Sequence, residues 1–205
     1  MGNRFAEIAF TDNVRAMQIR QGARIAPAAR QSPASSPDRL GTRETEFIGA
    51  RDSFYMATVS ETGWPYLQHR GGPPGFLRVL DAATLGFADF RGNRQYVSAG
   101  NLSADDRVAL ILVDYAARRR LKLLGRARLI EITEDAGLVE RLHPPGYAAR
   151  AERAMLISVE AFDWNCPQHI AVRFSEAEVE ARTAALRDRI AALEAEIASL
   201  GPAAG

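Results

Sequence analysis

The chain lacks the features that mark the common classes of enzyme. Its 205 residues include a single cysteine, Cys166, so neither an internal disulfide nor a cysteine pair for zinc can form. The three histidines, His69, His143 and His169, are far apart and show no helical i, i+4 metal spacing. Gly-x-Gly-x-x-Gly, the P-loop and Gly-x-Ser-x-Gly are all absent. These absences exclude the usual dinucleotide, nucleoside triphosphate and serine-hydrolase signatures.

The chain also lacks a net charge of either sign. Lys and Arg total 26 against 25 for Asp and Glu, which gives no global attraction to nucleic acid or to a membrane surface. The N-terminal residues are interrupted by charges and contain no apolar run of signal-peptide or membrane-spanning length. With one cysteine, the composition fits a reducing compartment. We therefore expect a soluble, cytoplasmic protein without a nucleic-acid or membrane partner.

The hydrophobic pattern divides the chain into three parts. Residues 1–40 combine short helical turns at 5–20 with a Pro-, Ser- and Ala-rich stretch at 24–39 that is typical of a flexible linker. Residues 41–175 are predicted to form one β-rich domain, entered through a short helix at 44–50 whose Phe47 and Ile48 could dock on a core. Residues 176–205 are predicted to form a long amphipathic helix.

The β-rich part contains short strands joined by turns rather than by long helices. We expect strands at 53–60, 64–70, 77–81, 84–90, 108–114, 119–132 and 154–160, with a hairpin around residues 82–83. The run at 108–114 is typical of a strand buried on both faces, and the run at 119–132 suits a strand bent at Gly125. Short helices are expected at 134–142 and 147–153. Five or six of these strands, joined by short turns, predict an antiparallel barrel.

The tail repeats apolar residues at spacings of four and three. The stripe consists of Val179, Thr183, Leu186, Ile190, Leu193, Ile197 and Leu200. A helix over residues 176–200 would be roughly 38 Å long at about 1.5 Å per residue, and its stripe needs a partner. The partner is either the helix's own domain or the same helix of a second subunit, which the narrow heptad seam favours.

Basic and polar residues gather where the predicted strands end. They are Gln68, His69, Arg70 and Gly71 at one strand end, Arg91, Asn93 and Arg94 at another, and the basic residues 118–120 with Lys122 at a third. Residues 84–101 are the most informative case, because a β-rich run ends in the tight basic turn Arg91–Arg94 and leads into a helical pattern. Each group alone could be a solvated edge. Together they favour a site for a phosphate-bearing ligand.

At these residues the chain resembles the pyridoxamine 5'-phosphate oxidase-related flavoproteins, which have the FMN-binding split-barrel fold. The resemblance covers roughly residues 47–174 and is carried by four segments in order. They are TGWPYLQHRGGPPGFLRVLD, FADFRGNRQYVSAGNLS, RRLKLLGRARLIE and DWNCPQHI. It implies a mainly β fold, a six-stranded antiparallel split β-barrel with peripheral helices, which the long C-terminal helix predicted from the heptad stripe follows. It also implies a homodimer with FMN at the subunit interface.

The same resemblance suggests roles for individual residues. The strand from Gln68 to Gly71, with His69 and Arg70, is expected to run beside the isoalloxazine ring. Asn93 and Arg94 match an Arg-Lys pair that holds the phosphate, with Arg91 as an additional donor. Arg120 matches a glutamine near the ring, Lys122 lies on the same strand face, and Asn101 matches the Asn of an Asn-Pro step.

The sequence departs from the oxidase at two places. Asn93 replaces one phosphate-binding cation, and the C-terminal end lacks the oxidase's substrate-binding pattern. We therefore expect a substrate other than pyridoxamine phosphate. Trp164, Gln168 and His169 either line the substrate pocket or, in the case of Trp164, plug the barrel end. Cys166 has no adjacent base and is interpreted as a packed residue rather than a nucleophile.

The leading hypothesis is an FMN-dependent oxidoreductase that reacts with a small-molecule substrate or reductant. No acid–base residue is assigned. One alternative is a flavin- or haem-binding sensor or storage protein on the same barrel. Another is an oligomerisation scaffold that presents the tail helix.

Overall fold

The computed structural model describes residues 3–23, 36–164, 167–199 and 201. Cys166 and residues 24–35 of the predicted linker lie outside this described part. The described helices are α1 (Asn3–Ala9), α2 (Asp12–Arg20), α3 (Thr42–Gly49), α4 (Val97–Ala104), α5 (Ala136–Leu142) and α6 (Glu176–Ser199). The described strands are β1 (Ser53–Val59), β2 (Pro65–Gly71), β3 (Arg78–Asp81), β4 (Thr84–Phe90), β5 (Arg107–Asp114), β6 (Arg119–Glu131) and β7 (Ala151–Trp164).

The seven strands form one sheet in the order β2-β1-β5-β6-β7-β4-β3. Every neighbouring pair is antiparallel. The sheet curls until its edges approach, since Arg70 of β2 pairs with Asp89 of β4 although these strands share no backbone ladder. The predicted mainly β split barrel with peripheral helices and a long C-terminal helix is confirmed. The sheet has seven strands rather than six.

The inner face of the sheet carries the core. Met56, Leu110 and Leu123 lie side by side on β1, β5 and β6 and are almost fully buried. Phe54, Phe76 and Phe87 fill the space between the curled edges, with ring centroids 5.4 to 6.3 Å apart. Aromatic pairs at this separation stabilise a core beyond the area that they bury.

Strand β5 differs from its sequence prediction. Val108, Leu110 and Leu112 are buried, but Ile111 and Val113, which alternate with them, are only half-buried. The continuous apolar run therefore does not mean burial on both faces within one chain. The outer face of β5 carries apolar side chains that the protein's own helices do not cover completely.

The long strand β6 bends as predicted. Its register with β7 shifts between Leu124 and Gly125. A Cβ at Gly125 would lie 2.6 Å from the Ser158 carbonyl oxygen and 2.8 Å from Ile157 Cγ2. Glycine is required there because β7 approaches too closely for a side chain.

Two helix predictions have opposite outcomes. Phe47 and Ile48 of α3 dock on the core, with exposures of 4% and 0%. The helix predicted at 147–153 is wrong. Residues 147–150 are irregular, and Ala151 begins β7, because β4 pairs with this segment and Asp89 lies opposite Arg153.

The tail helix α6 begins with a cap in which the Glu178 N–H donates to Ser175 Oγ and the Ser175 N–H donates to Glu178 Oε2. This backbone N–H lowers the pKa of Glu178. No residue of α6 is buried, so its stripe is not packed against its own domain. In the described part of the chain, no helix is both long and apolar enough to cross a membrane.

Candidate functional site

Strand β2 sends alternate side chains to the two faces of the sheet. Gln68 lies in register with Met56 and shares its inward-facing side, and Arg70 follows two residues later. His69 lies in register with Tyr55 and is exposed on the outer face. The strand-end residues predicted as one group are therefore divided between two faces.

The inner-face group opens into a cleft between β2, β4 and the start of α4, which we call the β2–β4 cleft. Its volume is about 230 Å³. It is lined by Tyr66, Gln68, Arg70, Asp89, Phe90, Gly92, Asn93, Arg94, Gln95, Tyr96, Val97, Ser98, Ala99 and Glu152. The cleft thus brings together four of the predicted residues: Gln68, Arg70, Asn93 and Arg94.

Arg70 is held rigidly at the floor of this cleft. Its Nη1 pairs with Asp89 Oδ1, and both side chains are only 13% exposed. Asp89 is also approached by Arg153, whose Nε lies 3.9 Å from Oδ2. Burial raises the pKa of Asp89, and the two arginines oppose that rise. Arg70 Nε is buried and has no hydrogen-bond partner among the described residues.

The basic turn places Asn93 and Arg94 at the cleft wall. Arg94 and Tyr96 adopt left-handed backbone angles, with φ of 63° and 52°. Asn93 Oδ1 accepts a hydrogen bond from the Gln95 N–H at 3.2 Å, which closes the turn locally. A hydrogen bond with Tyr96 raises the pKa of Arg94. The turn holds two uncommon backbone conformations next to a cleft, which is typical of ligand sites.

Helix α4 points its first turn at the same cleft. Its N-cap residue is Tyr96, and no described side chain caps the free N–H groups of this turn. Ser98 Oγ donates to Gln68 Oε1 at 2.8 Å, and the buried Asn101 Nδ2 donates to Thr58 Oγ1 at 2.9 Å. These two bonds fix α4 to β2 and β1. An uncapped helix N-terminus beside arginines suits an anion.

Acidic groups at the rim are also paired. Tyr96 donates its hydroxyl to Glu152 at 3.1 Å, and Arg91 Nε lies 3.7 Å from the Glu152 carboxylate. Arg153 Cζ lies 5.2 Å from the Tyr96 ring centroid. The carboxylate is therefore engaged by its neighbours, which reduces its repulsion of an anion in the cleft.

A second cleft of about 290 Å³ lies on the other side of Arg70. His69, Gly71 and Arg91 line it together with Tyr147 and Ala149 of the loop before β7. Gln68 and Arg70 border both clefts. This part of the barrel edge is thus continuous with the β2–β4 cleft.

The outer face carries Arg120, Lys122 and His69, the last of which also lines the second cleft. His69, Tyr55, Ile111 and Lys122 form one row across β2, β1, β5 and β6. At about 4.8 Å per strand, His69 and Lys122 are roughly 14 Å apart. Lys122 Nζ lies 3.0 Å from Asp163 Oδ2.

Arg120 lies opposite Val113 of β5 and is half-buried on the same face as Lys122. Within one chain, neither Arg120 nor Lys122 lines the β2–β4 cleft.

Trp164 ends β7 at the opposite end from the Ala151–Phe90 pairing beside the cleft. Its ring is 4.1 Å from Arg43 Cζ and 4.9 Å from Arg119 Cζ, and its Nε1 donates to Glu44 Oε1 at 2.7 Å. The ring also packs edge-on against Phe47. These contacts match the barrel-plug interpretation. Gln168 and His169 are exposed in a turn, and no residue of the three lines the β2–β4 cleft.

Comparison with known proteins identifies the family. Residues 42–166 match the family model described as pyridoxamine 5'-phosphate oxidase. The chain belongs to the pyridoxamine 5'-phosphate oxidase family. No curated protein matches the chain significantly.

Solved structures agree with this family fold. HupZ from Group A Streptococcus is 15% identical, with a TM-score of 0.50, and the match covers 66% of this chain and 100% of HupZ. A relative of general stress protein 26 from Clostridium acetobutylicum is 16% identical, with a TM-score of 0.45 over 67% of this chain and 94% of that protein. HutZ, the haem storage protein from Vibrio cholerae, is 15% identical, with a TM-score of 0.39 over 61% and 94%. At 15% identity, the HupZ match shows a shared fold and nothing about function. The other two matches have TM-scores below 0.5 and support no further conclusion.

Asp89, Tyr96, Ser98 and Glu152 are among the cleft residues that were not identified from the sequence. The sequence did contain a sign of Asp89, because this residue is a charged side chain within the mainly apolar strand β4. The others had none, because their contacts join segments that are distant in sequence, such as the 56 positions between Tyr96 and Glu152. Among the described residues, no cluster of His, Asp or Glu could hold a metal ion.

Proposed function

We propose that this chain is an FMN-dependent oxidoreductase that works as a homodimer. The carrying observation is the β2–β4 cleft, which is lined both by Arg70, Asn93 and Arg94 and by the uncapped first turn of α4. Arg94 and Asn93 add donors from the wall. This set of donors suits the phosphate end of FMN better than a neutral ligand.

The local charges allow a phosphate to bind. Asp89 is neutralised by Arg70 and Arg153, and Glu152 is engaged by Tyr96 and Arg91. A buried donor without a partner costs free energy, which an incoming acceptor would recover. The residues therefore fit the group that the family implies.

The outer face supports a second subunit in this proposal. Tyr55 is 39% exposed and lies beside the half-buried Ile111, and Leu67 on β2 is 62% exposed on the same face. An exposed apolar sheet face next to a polar row is typical of a protein interface. We propose that this face packs on a second copy and brings His69, Arg120 and Lys122 of one subunit towards the flavin held by both.

Bound FMN supplies the redox chemistry. The chain's own residues bind and orient it. The β2 segment from Gln68 to Gly71 offers backbone groups along one edge of the ring. Arg120 or Lys122 offers a fixed cation where negative charge develops, and a preplaced charge needs no rearrangement during reaction.

The proposed substrate is not pyridoxamine phosphate. Asn93 provides an amide where the oxidase has a cation, and its Oδ1 is already engaged by the turn. Arg94 is therefore the cation of this turn that lines the β2–β4 cleft. We propose another small molecule as substrate or reductant.

Arg94→Ala provides a direct test of the cleft. It should lower the affinity for FMN at least tenfold, because one charge-assisted phosphate contact is lost. Arg182→Ala, on the exposed tail helix, is the matched control and should leave affinity unchanged. Equal FMN retention in the two variants would show that Arg94 does not bind the phosphate of FMN.

A stopped-flow experiment separates enzyme from binder. NADH or NADPH, mixed with the FMN-loaded protein, should bleach the flavin absorbance over successive cycles with an oxidant. Bound FMN that no such reductant reduces would favour a flavin-binding sensor or storage protein. A haem Soret band with no flavin would favour the haem-binding alternative, for which the exposed His69 is the candidate ligand.

A further inference from the structure

Helix α6 is not part of the family match. The family model ends at residue 166, and α6 spans Glu176–Ser199. Its apolar stripe remains exposed, with Leu186 at 65%, Ile190 at 55% and Ile197 at 69%. A helix of this kind is marginal alone and gains most of its stability from burying such a stripe.

The charges beside the stripe show which partner fits. With Thr183, Ile190 and Ile197 at heptad position a, the flanking e and g positions carry both signs. Position e holds Glu180, Arg187 and Glu194, and position g holds Arg182, Arg189 and Glu196. Charges at e and g decide which helix pairs and in which direction.

A parallel pair of α6 helices is poorly matched. There, each g residue faces the e residue five positions later on the partner. Arg182 would face Arg187 of the second copy, which is repulsive, while Arg189 would face Glu194. Like charges at these positions oppose pairing.

An antiparallel pair with Leu186 opposite Ile197 of the second copy is fully complementary. There, g faces g and e faces e. Arg189 meets Glu196 of the second copy, Arg187 meets Glu194 of the second copy, and twofold symmetry repeats both pairs. Sliding this pair by one heptad would instead set Arg187 and Arg189 against themselves.

We propose that α6 forms an antiparallel coiled coil with α6 of a second copy, in the register that sets Leu186 opposite Ile197. The exposed intrahelical contact between Arg187 Nη1 and Glu180 Oε1, at 3.5 Å, is too weak to compete. The inference does not depend on the flavin, since it rests on α6 alone.

Directed cross-linking tests the direction of pairing. In a Cys166→Ser background of the full chain, tagged Leu186→Cys and untagged Ile197→Cys proteins are co-expressed and oxidised. A tagged–untagged disulfide dimer should form in the mixture, while each variant alone should form none. Disulfide dimers formed by either variant alone would show parallel pairing. If no sample formed a cross-link, the α6 helices would not pair, because residues that face each other in such a seam lie within disulfide reach.

Charge exchange tests the register independently. Arg189→Glu alone should abolish the cross-link, and Arg189→Glu with Glu196→Arg should restore it. The matched control is Arg189→Glu with Glu194→Arg, which suits the parallel pair and should not restore it. Rescue by the control instead of by the Glu196 exchange would overturn the antiparallel register.

Discussion

Arg70 and Asp89 connect β2 to β4 across the open side of the barrel. The two strands share no ladder, so this ion pair is a direct link between them beside the cleft. Arg70 also lines the β2–β4 cleft. One side chain thus contributes both to the closure of the barrel and to the proposed anion site.

Replacing Arg70 by Met should therefore destabilise the flavin-free protein. The change leaves Asp89 buried with only the more distant Arg153, and a broken buried pair costs about 3 kcal/mol. Denaturant unfolding monitored by tryptophan fluorescence measures the loss. Adding Asp89→Asn should recover part of it, because the buried charge is then removed.

Arg126→Met is the control for this prediction. Its partner Asp106 is 48% exposed, and an exposed pair contributes less than about 1 kcal/mol. If both arginine variants lost the same small free energy of unfolding, the Arg70–Asp89 pair would have no special role in closing the barrel.

At the scale of elements, the bend of β6 is built around Gly125. Gly125→Ala should lower the free energy of unfolding by about 1 to 3 kcal/mol, since its Cβ would collide with the Ser158 carbonyl at 2.6 Å. Gly100→Ala in α4 is the matched control, because its Cβ would meet nothing within 4 Å.

In this control, alanine has a higher helix propensity than glycine, so the free energy of unfolding should rise by about 0.5 to 1 kcal/mol. Chemical denaturation of both variants checks the opposite signs. A Gly125→Ala protein as stable as the parent would show that β7 is not packed against this bend.

The element pattern shows what the sequence could and could not predict. Alternation in residues 53–59 and 119–131 marks strands that bury one face, and these were predicted. Residues 147–153 contain several Ala and Arg residues that favour a helix locally. Pairing of Asp89 with Arg153 overrides that preference, and no local pattern reveals such a pairing.

The site was predictable only in part, for the same reason. Strand ends and a basic turn pointed to Gln68, Arg70, Asn93 and Arg94, which do line one cleft. The sequence could not show that His69 and Lys122 occupy the opposite face, because that depends on register across four strands. Contacts between Tyr96 and Glu152 depend on the curl of the whole sheet.

For the whole molecule, the proposed homodimer depends on the outer sheet face. Leu67→Glu places a charge on that face, whereas Leu80→Glu places one on β3, at the other edge of the sheet. Both variants are made in an Arg189→Glu background, in which α6 pairing is disrupted and cannot hold two copies together. There, Leu67→Glu should reduce the mass measured by light scattering and weaken FMN retention, because a buried charge opposes association. Leu80→Glu should have neither effect. Unchanged mass and FMN retention for Leu67→Glu in this background would exclude this face from the interface.

The identity of the bound cofactor tests the central claim most directly. Protein purified without added cofactor should be yellow, and heat-released flavin should elute as FMN by liquid chromatography and mass spectrometry at about one molecule per chain. Colourless protein that also fails to take up added FMN would contradict the account.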